Sequence, residues 1–187
     1  MNLTARGGDL YQMTQSRFPA RFLALFGALA VASPFALGDA WAADFESAYT
    51  KHDYQTCPEI GSPEPGVIEV RRCPGLAGKS VIWTGEPDAS WVDFGTGGTT
   101  QTLDLGDFFE AGTTVEWRGP VVKGLIAPVA AIVRYHVGKS VGTLNASRLV
   151  VYRLTGVPCA IAVVDGAVPK ANEAARAKAE ASGAACL

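Results

Sequence analysis

The stretch VIEVRRCPGLAGKSVIWTG (residues 67–85) carries, from Cys73 to Ser80, all but the first residue of a nucleotide-binding loop. Gly78, Lys79 and Ser80 match the end of G-x-x-x-x-G-K-[ST], and Cys73 stands where the first glycine belongs. Such a loop works only between a strand and a helix, because the helix N-terminus and the loop amides together hold the phosphates. Here the residues after Gly78, KSVIWTG, are β-branched and aromatic, and VIEVRR before the loop alternates with period two. A second Gly-Lys-Ser at residues 138–140 has valine five positions before its glycine, so the tripeptide arises cheaply. The stretch reads as two antiparallel strands joined by a Pro74–Gly75 turn, and nucleotide binding is not expected.

The same rhythm extends on both sides. SWVDFG (residues 90–95) continues the run as a third antiparallel strand after the turn EPDA. Further strands are expected from TTVEWRG (113–119), LIAPVAAIVRYH (125–136), ASRLVVYRL (146–154) and CAIAVVD (159–165). Between them GTGGTTQTLDLGDFFEAG (95–112) breaks the pattern with repeated glycine, and reads as a long excursion with a short helical turn at residues 107–110. One helix is expected, over residues 169–182, with Pro169 in its first turn and alanine in quantity. Ala174, Ala177 and Ala181 form a flat stripe that would lie on a sheet, with Arg176 and Glu180 paired four residues apart. The fold class is α+β: a mainly antiparallel sheet of six or seven strands with one C-terminal helix packed on it. A small β-barrel or sandwich is the alternative architecture.

At the chain's start, Arg17 and Arg21 precede the uncharged run FLALFGALAVA (residues 22–32), followed by small residues at Ala40 and Ala42. This is the pattern of a secretory signal, so residues 1–42 are read as a signal peptide cleaved after Ala42, with Met13 as a possible true start. Removing 42 of the 187 residues leaves 145, residues 43–187, enough for one domain. That domain keeps 13 of the 16 Lys and Arg and 16 of the 18 Asp and Glu, a formal charge of −3. Its basic residues are scattered, which argues against nucleic acid as a partner. Proline interrupts its longest apolar run, LIAPVAAIV (125–133), so no membrane span is expected in the mature chain.

Four cysteines, Cys57, Cys73, Cys159 and Cys186, read in an exported chain as a disulfide framework. Three pairings are possible. Joining Cys57 to Cys73 and Cys159 to Cys186 closes two local loops and is preferred. Zinc is the rival reading, but there is no C-x-x-C pair, and His52 and His136 stand apart from the cysteines. No metal or other cofactor is expected.

Taken together, CPG after a basic strand, VEWR, APVAAIVRY, the cysteine of an Ala/Val strand ending in VD, AN and AR in an alanine helix, and a final cysteine resemble a group of small exported proteins of alphaproteobacteria. The resemblance spans about Tyr49 to Cys186 and implies an exported domain with two disulfides; it implies no activity. The chain departs from the group's pattern at GEPDASWVDFG and in the glycine-rich insertion that follows.

No G-x-S-x-G, H-E-x-x-H or paired-histidine motif is present. Glu116 and Arg118, with Arg134 on a neighbouring strand, could form an anion-recognition patch, or simply cross-strand ion pairs. Trp83, Trp91 and Trp117 lie on expected strands and read as core rather than as ligand-stacking side chains. Two functions follow as expectations. The first is a non-catalytic periplasmic or secreted binding or inhibitor-like module, with the glycine-rich acidic loop, including Asp104 and Asp107, as its contact element. Its partner would be an envelope protein or a small ligand. The alternative is a small periplasmic hydrolase using the loop carboxylates Asp104, Asp107 and Glu110.

Overall fold

The computed structural model describes residues 44–95, 103–181 and 183–187. The apolar run at 22–32, the cleavage position after Ala42 and the alternative start at Met13 lie outside the described residues. So do residues 96–102, most of the glycine-rich part of the expected excursion.

Alternation along each strand sends its side chains to two faces, and here the central sheet buries both. Strands β1 (Phe45–Lys51), β5 (Phe108–Val122), β7 (Ala130–Gly138), β8 (Ala146–Arg153) and β9 (Cys159–Asp165) form an antiparallel sheet in the order β1-β5-β7-β8-β9, and β6 (Leu125–Ile126) hairpins back onto β5. A second, three-stranded antiparallel sheet holds β2 (Glu69–Pro74), β3 (Ser80–Gly85) and β4 (Ser90–Phe94). The fold class is therefore as expected, antiparallel sheet plus one C-terminal helix, and no closed barrel forms. The strands are divided between two sheets because VIEVRR, SVIWTG and SWVDFG pair only among themselves.

The small sheet packs on one face of the large one. Val81, Val92 and Phe94 meet Val115, Trp117, Ala131, Val133, Tyr135, Val150 and Tyr152 in a single core cluster. On the opposite face, Ala130, Ile132, Leu149, Val151 and Ile161 pack against helix α1 (Ala171–Glu180). This two-sided burial explains why AAIVRYHV is almost continuously apolar, where a one-sided strand would alternate.

The expected helix is present, but it buries Ala171, Ala175 and Ala179 rather than Ala174, Ala177 and Ala181. Both stripes are small enough to lie close. The choice falls to their neighbours: Asn172, Arg176 and Glu180 flank the buried alanines and find partners on the sheet.

The segment from Cys73 to Ser80 is a tight turn between β2 and β3. Gly75 N–H donates to the Lys79 carbonyl at 2.8 Å, and no helix follows Lys79, because Ser80 already begins β3. Gly75 is required there because a Cβ would stand 2.7 Å from the indole of Trp117, which is fully buried beneath it. The Cys57–Cys73 bridge (sequence separation 16) and the Cys159–Cys186 bridge (separation 27) are the two local loops expected.

The excursion expected at 95–112 ends earlier than the sequence suggests. Its expected helical turn at 107–110 is instead the start of β5, where Phe108, Phe109, Glu110 and Ala111 pair with Gly138, Val137, His136 and Tyr135 of β7. Phe109 packs edge-on against Tyr135, and Leu105 is buried in the core between the sheets. The alternating signal was masked because Phe108 and Phe109 are consecutive and a bulge interrupts the strand between Ala111 and Val115. Within the bulge, Gly112 O accepts from Tyr54 Oη at 2.9 Å, while Thr113 O accepts from His52 N–H at 2.7 Å and extends the β1–β5 pairing by one residue. Strand β1, rich in polar and charged residues, gave no clear alternation in the sequence and lies at the sheet edge.

Candidate functional site

Glu116, Arg118 and Arg134 lie on the helix side of the large sheet, where α1 covers them. Arg176 Nε donates to Glu116 Oε1 at 2.6 Å, and Ser47 Oγ donates to the same carboxylate oxygen at 2.5 Å. Arg118, its side chain only 8% exposed, pairs with Glu180 and donates to Ser47 Oγ at 2.9 Å. Arg134 donates to Ser147 Oγ at 2.9 Å and to Asn172 Oδ1 at 2.8 Å. Glu116 raises the pKa of Arg176 through their hydrogen bond. Glu116 and Arg134 also line a hollow of about 240 Å³ between sheet and helix, but Glu116 and Arg118 are already neutralised by partners on α1. Their arrangement docks the helix. Asp104 and Asp107 are exposed and line neither this hollow nor the larger cleft below.

The larger concavity is a cleft of about 510 Å³ at the end of the small sheet. Its walls come from the 3-10 turn Tyr54–Thr56, from β3 and the β3–β4 turn, and from the start of β5. Bridging contacts hold these elements together: Ala89 pairs with Phe109 in an isolated parallel bridge, and Ala111 N–H donates to Ser90 Oγ at 3.0 Å. Glu86 N–H donates to the Ala89 carbonyl at 2.7 Å, closing the β3–β4 turn so that Glu86 and Asp88 stand on its rim.

Aromatic rings build one wall. His52, Tyr54 and Trp83 form a column, with centroids 5.8 Å apart for the first pair and 5.7 Å for the second and nearly parallel planes. Tyr54 and Trp83 line the cleft. Gly85 lets the Trp83 ring fold flat along its own strand, since any Cβ there would collide with the indole. Behind the wall, Trp117 Nε1 donates to Thr50 Oγ1 at 2.8 Å, and Thr50 Oγ1 lies 2.7 Å from His52 Nε2. Because indole can only donate, the threonine hydroxyl keeps its own proton for a neutral imidazole. Burial lowers the His52 pKa, which favours that neutral form.

The cleft's charge is predominantly negative. Asp53, Glu69, Glu86, Asp88 and Glu110 line it, and among the described residues no Lys, Arg or His does, although Glu69 is paired with Arg71 at 3.3 Å outside the lining. Nor do any three His, Cys, Asp or Glu side chains among the described residues converge closely enough to hold a metal ion. The five carboxylates are thus spread around a space of small-molecule size rather than drawn into a cage.

Compared with protein-family models, with curated proteins and with solved structures, the chain matches none.

Of the residues singled out in the sequence, only Trp83 and Glu110 reach the cleft. The sequence reading missed Asp53, Glu69, Glu86 and Asp88. EPDA was recognised as a turn but not as a carrier of charge, and the four acids lie in three separate segments that only the fold of the small sheet gathers. The available signal was the pair Glu86 and Asp88 in the turn of the hairpin that carries Trp83 and Trp91.

Proposed function

We propose that this is an exported, non-catalytic binding module, periplasmic or secreted, that holds an organic cation of small-molecule size in the acidic cleft. The observation that carries this reading is the conjunction of a concave space of about 510 Å³, five carboxylates and no lining cation among the described residues. Export is supported by the presequence pattern, by the two disulfides and by the resemblance to small exported proteins of alphaproteobacteria. No helix among the described residues is long and apolar enough to cross a membrane.

Carboxylates spread round a cleft recognise an amine without needing a fixed geometry, and low-dielectric walls of Tyr54, Trp83 and Phe108 strengthen each attraction. The contact element is then the β3–β4 turn with the start of β5, not the glycine-rich loop as a whole. A hydrolase built on Asp104, Asp107 and Glu110 has less support, since only Glu110 lines the cleft.

Titration of the mature protein with putrescine, spermidine and lysine-containing dipeptides, followed by calorimetry and by tryptophan emission, tests the reading. Binding should weaken with salt, and each of Glu86→Gln, Asp88→Asn and Glu110→Gln should cost about fivefold, the equivalent of about 1 kcal/mol for one lost unit charge near 4 Å in water. Absence of binding to every amine at millimolar concentration, or equal binding of citrate, would remove it.

A further inference from the structure

The two disulfides sit in opposite electrostatic surroundings. Cys73 is fully buried, and the Asp53 carbonyl oxygen lies 3.7 Å from Cys57 Sγ, an acceptor dipole that opposes negative charge on that sulfur. The Arg71 guanidinium donates to the Cys57 carbonyl at 3.1 Å and not to sulfur. Cys186, by contrast, is exposed. Strand register sets Arg153 directly across from Cys159 on the helix face of the sheet. Arg153 Nη2 lies 3.4 Å from Cys159 Sγ and 3.5 Å from Cys186 Sγ. Its remaining hydrogen bonds go to the carbonyls of Ala184 (2.9 Å) and Val157 (3.4 Å), and Nε has no partner among the described residues. No carboxylate among the described residues forms an ion pair with this cation.

We propose that Cys159–Cys186 is a site of thiol–disulfide exchange, with a dithiol reductant as its co-reactant and Arg153 as the group that stabilises the leaving thiolate. A thiolate of the reductant attacks the exposed Cys186 sulfur. The new S–S bond forms as the Cys159–Cys186 bond breaks, and Cys159 Sγ leaves with the electron pair beside the Arg153 guanidinium. The reductant's second thiolate then attacks its own sulfur in the mixed disulfide, and Cys186 departs and takes up a proton. The protein has gained two electrons, and the reductant has become a disulfide. A neighbouring cation lowers a thiol's pKa, and a lower leaving-group pKa speeds exchange. The direct product is a C-terminal tail without its covalent tie to β9, held by contacts that include the Leu187 N–H to Ala160 O bond at 3.0 Å and the Arg153 bond to the Ala184 carbonyl at 2.9 Å. This inference does not depend on the ligand proposed for the cleft.

The experiment exposes the folded, fully oxidised mature protein to dithiothreitol, quenches at intervals with N-ethylmaleimide, and locates the label by peptide mass spectrometry. Cys159 and Cys186 should be labelled at least about tenfold faster than Cys57 and Cys73, with Arg153→Met slowing the first pair by about tenfold and Arg153→Lys keeping most of the rate. Equal rates for the two bridges, or faster labelling of Cys57 and Cys73, would overturn the proposal without recourse to any variant. If Arg153→Met does not fold, Arg153→Lys and the wild-type ratio decide. A rate in folded Arg153→Met equal to wild type would remove Arg153 from the step.

Discussion

Removing Glu180 should cost more stability than removing the cation it pairs with, and the reason lies in unequal burial. The Arg118 side chain is 8% exposed and that of Glu180 is 46% exposed. Glu180→Ala leaves a guanidinium in a low-dielectric position with Ser47 Oγ as its remaining hydrogen-bond partner and with Nε already orphaned. Breaking a fully buried pair this way costs about 3 to 5 kcal/mol, and breaking an exposed one about 0.2 to 1 kcal/mol. The half-exposed carboxylate places this pair between those limits. Removing a negative charge from the last helical turn also returns a few tenths of a kcal/mol, since the helix dipole disfavours it there (about 0.3 to 1 kcal/mol for a full charge). A net loss of about 1 to 2 kcal/mol is expected, which lowers Tm by about 3 to 8 °C for a domain of this size. Arg118→Met removes the buried charge and fills its volume, and Glu180 can then turn to water, so its cost should stay below about 1 kcal/mol. Glu173→Ala is the control: Lys170 and Glu173 are 76% and 64% exposed, and its loss should be within about 0.5 kcal/mol. Denaturant melts of the three variants in low salt and in 1 M NaCl measure all of this, and the Glu180 effect should survive the salt because a buried charge is poorly screened. Should Glu180→Ala match Glu173→Ala, or Arg118→Met prove the worse of the two, the sheet–helix pair does not anchor α1 as described.

Three further outcomes are expected. Cys73→Ser should cost about 3 kcal/mol, the loop entropy released by opening a 16-residue ring, while Lys79→Ala stays within about 0.5 kcal/mol, as chemical denaturation of the two will show. Leu105→Ala should cost at least about 2 kcal/mol, because Leu105 is buried between the sheets; a loss below 1 kcal/mol in the same assay would return it to a surface loop. His52 has a lowered pKa in the fold, so below the ordinary value of 6.5 the unfolded chain binds the proton first. Its contribution to stability is therefore complete above pH 6.5 and is lost as pH falls through the folded value, and His52→Asn should flatten that part of the stability curve measured by urea melts between pH 7 and 4.5.

How much was legible beforehand depended on how many faces each segment buries. VIEVRR alternates in sequence, SWVDFG alternates in burial, and SVIWTG between them is β-branched and aromatic, so the three are readable as consecutive antiparallel strands. The Ala-rich helix was readable from propensity, but its buried side was not, because alanines surround it and the side chains that choose the face, Asn172, Arg176 and Glu180, do so by finding partners on β1, β5 and β7. FFEAG was hidden by its bulge, and the cleft by its dispersal over Asp53, Glu69, Glu86, Asp88 and Glu110. Charge complementarity across a sheet–helix seam, and charge accumulation from turns and strand ends far apart in sequence, are both long-range facts with no local period.

The disulfides divide along the same line as the layers. Cys57 follows the turn that carries Tyr54, and Cys73 lies near the end of β2, so their bridge braces the small-sheet layer from which most of the cleft is made. Cys159 begins β9 and Cys186 follows α1, so their bridge braces the helix layer, and none of the cleft's lining comes from β8, β9 or α1. Opening Cys159–Cys186 should accordingly loosen the helix and tail while leaving the aromatic column and the five carboxylates in place. Opening Cys57–Cys73 should loosen the turn at Tyr54, free the Gly112 carbonyl from the tyrosine hydroxyl, and spoil the wall that Trp83 rests on. Cation affinity measured on Cys186→Ser and on Cys73→Ser separates the two: the first should bind as the oxidised parent does, and the second should bind at least about fivefold more weakly, the effect of misplacing a single carboxylate by enough to lose about 1 kcal/mol. A loss of affinity in Cys186→Ser instead would mean that the helix layer supports the cleft through the large sheet, against the division drawn from its lining.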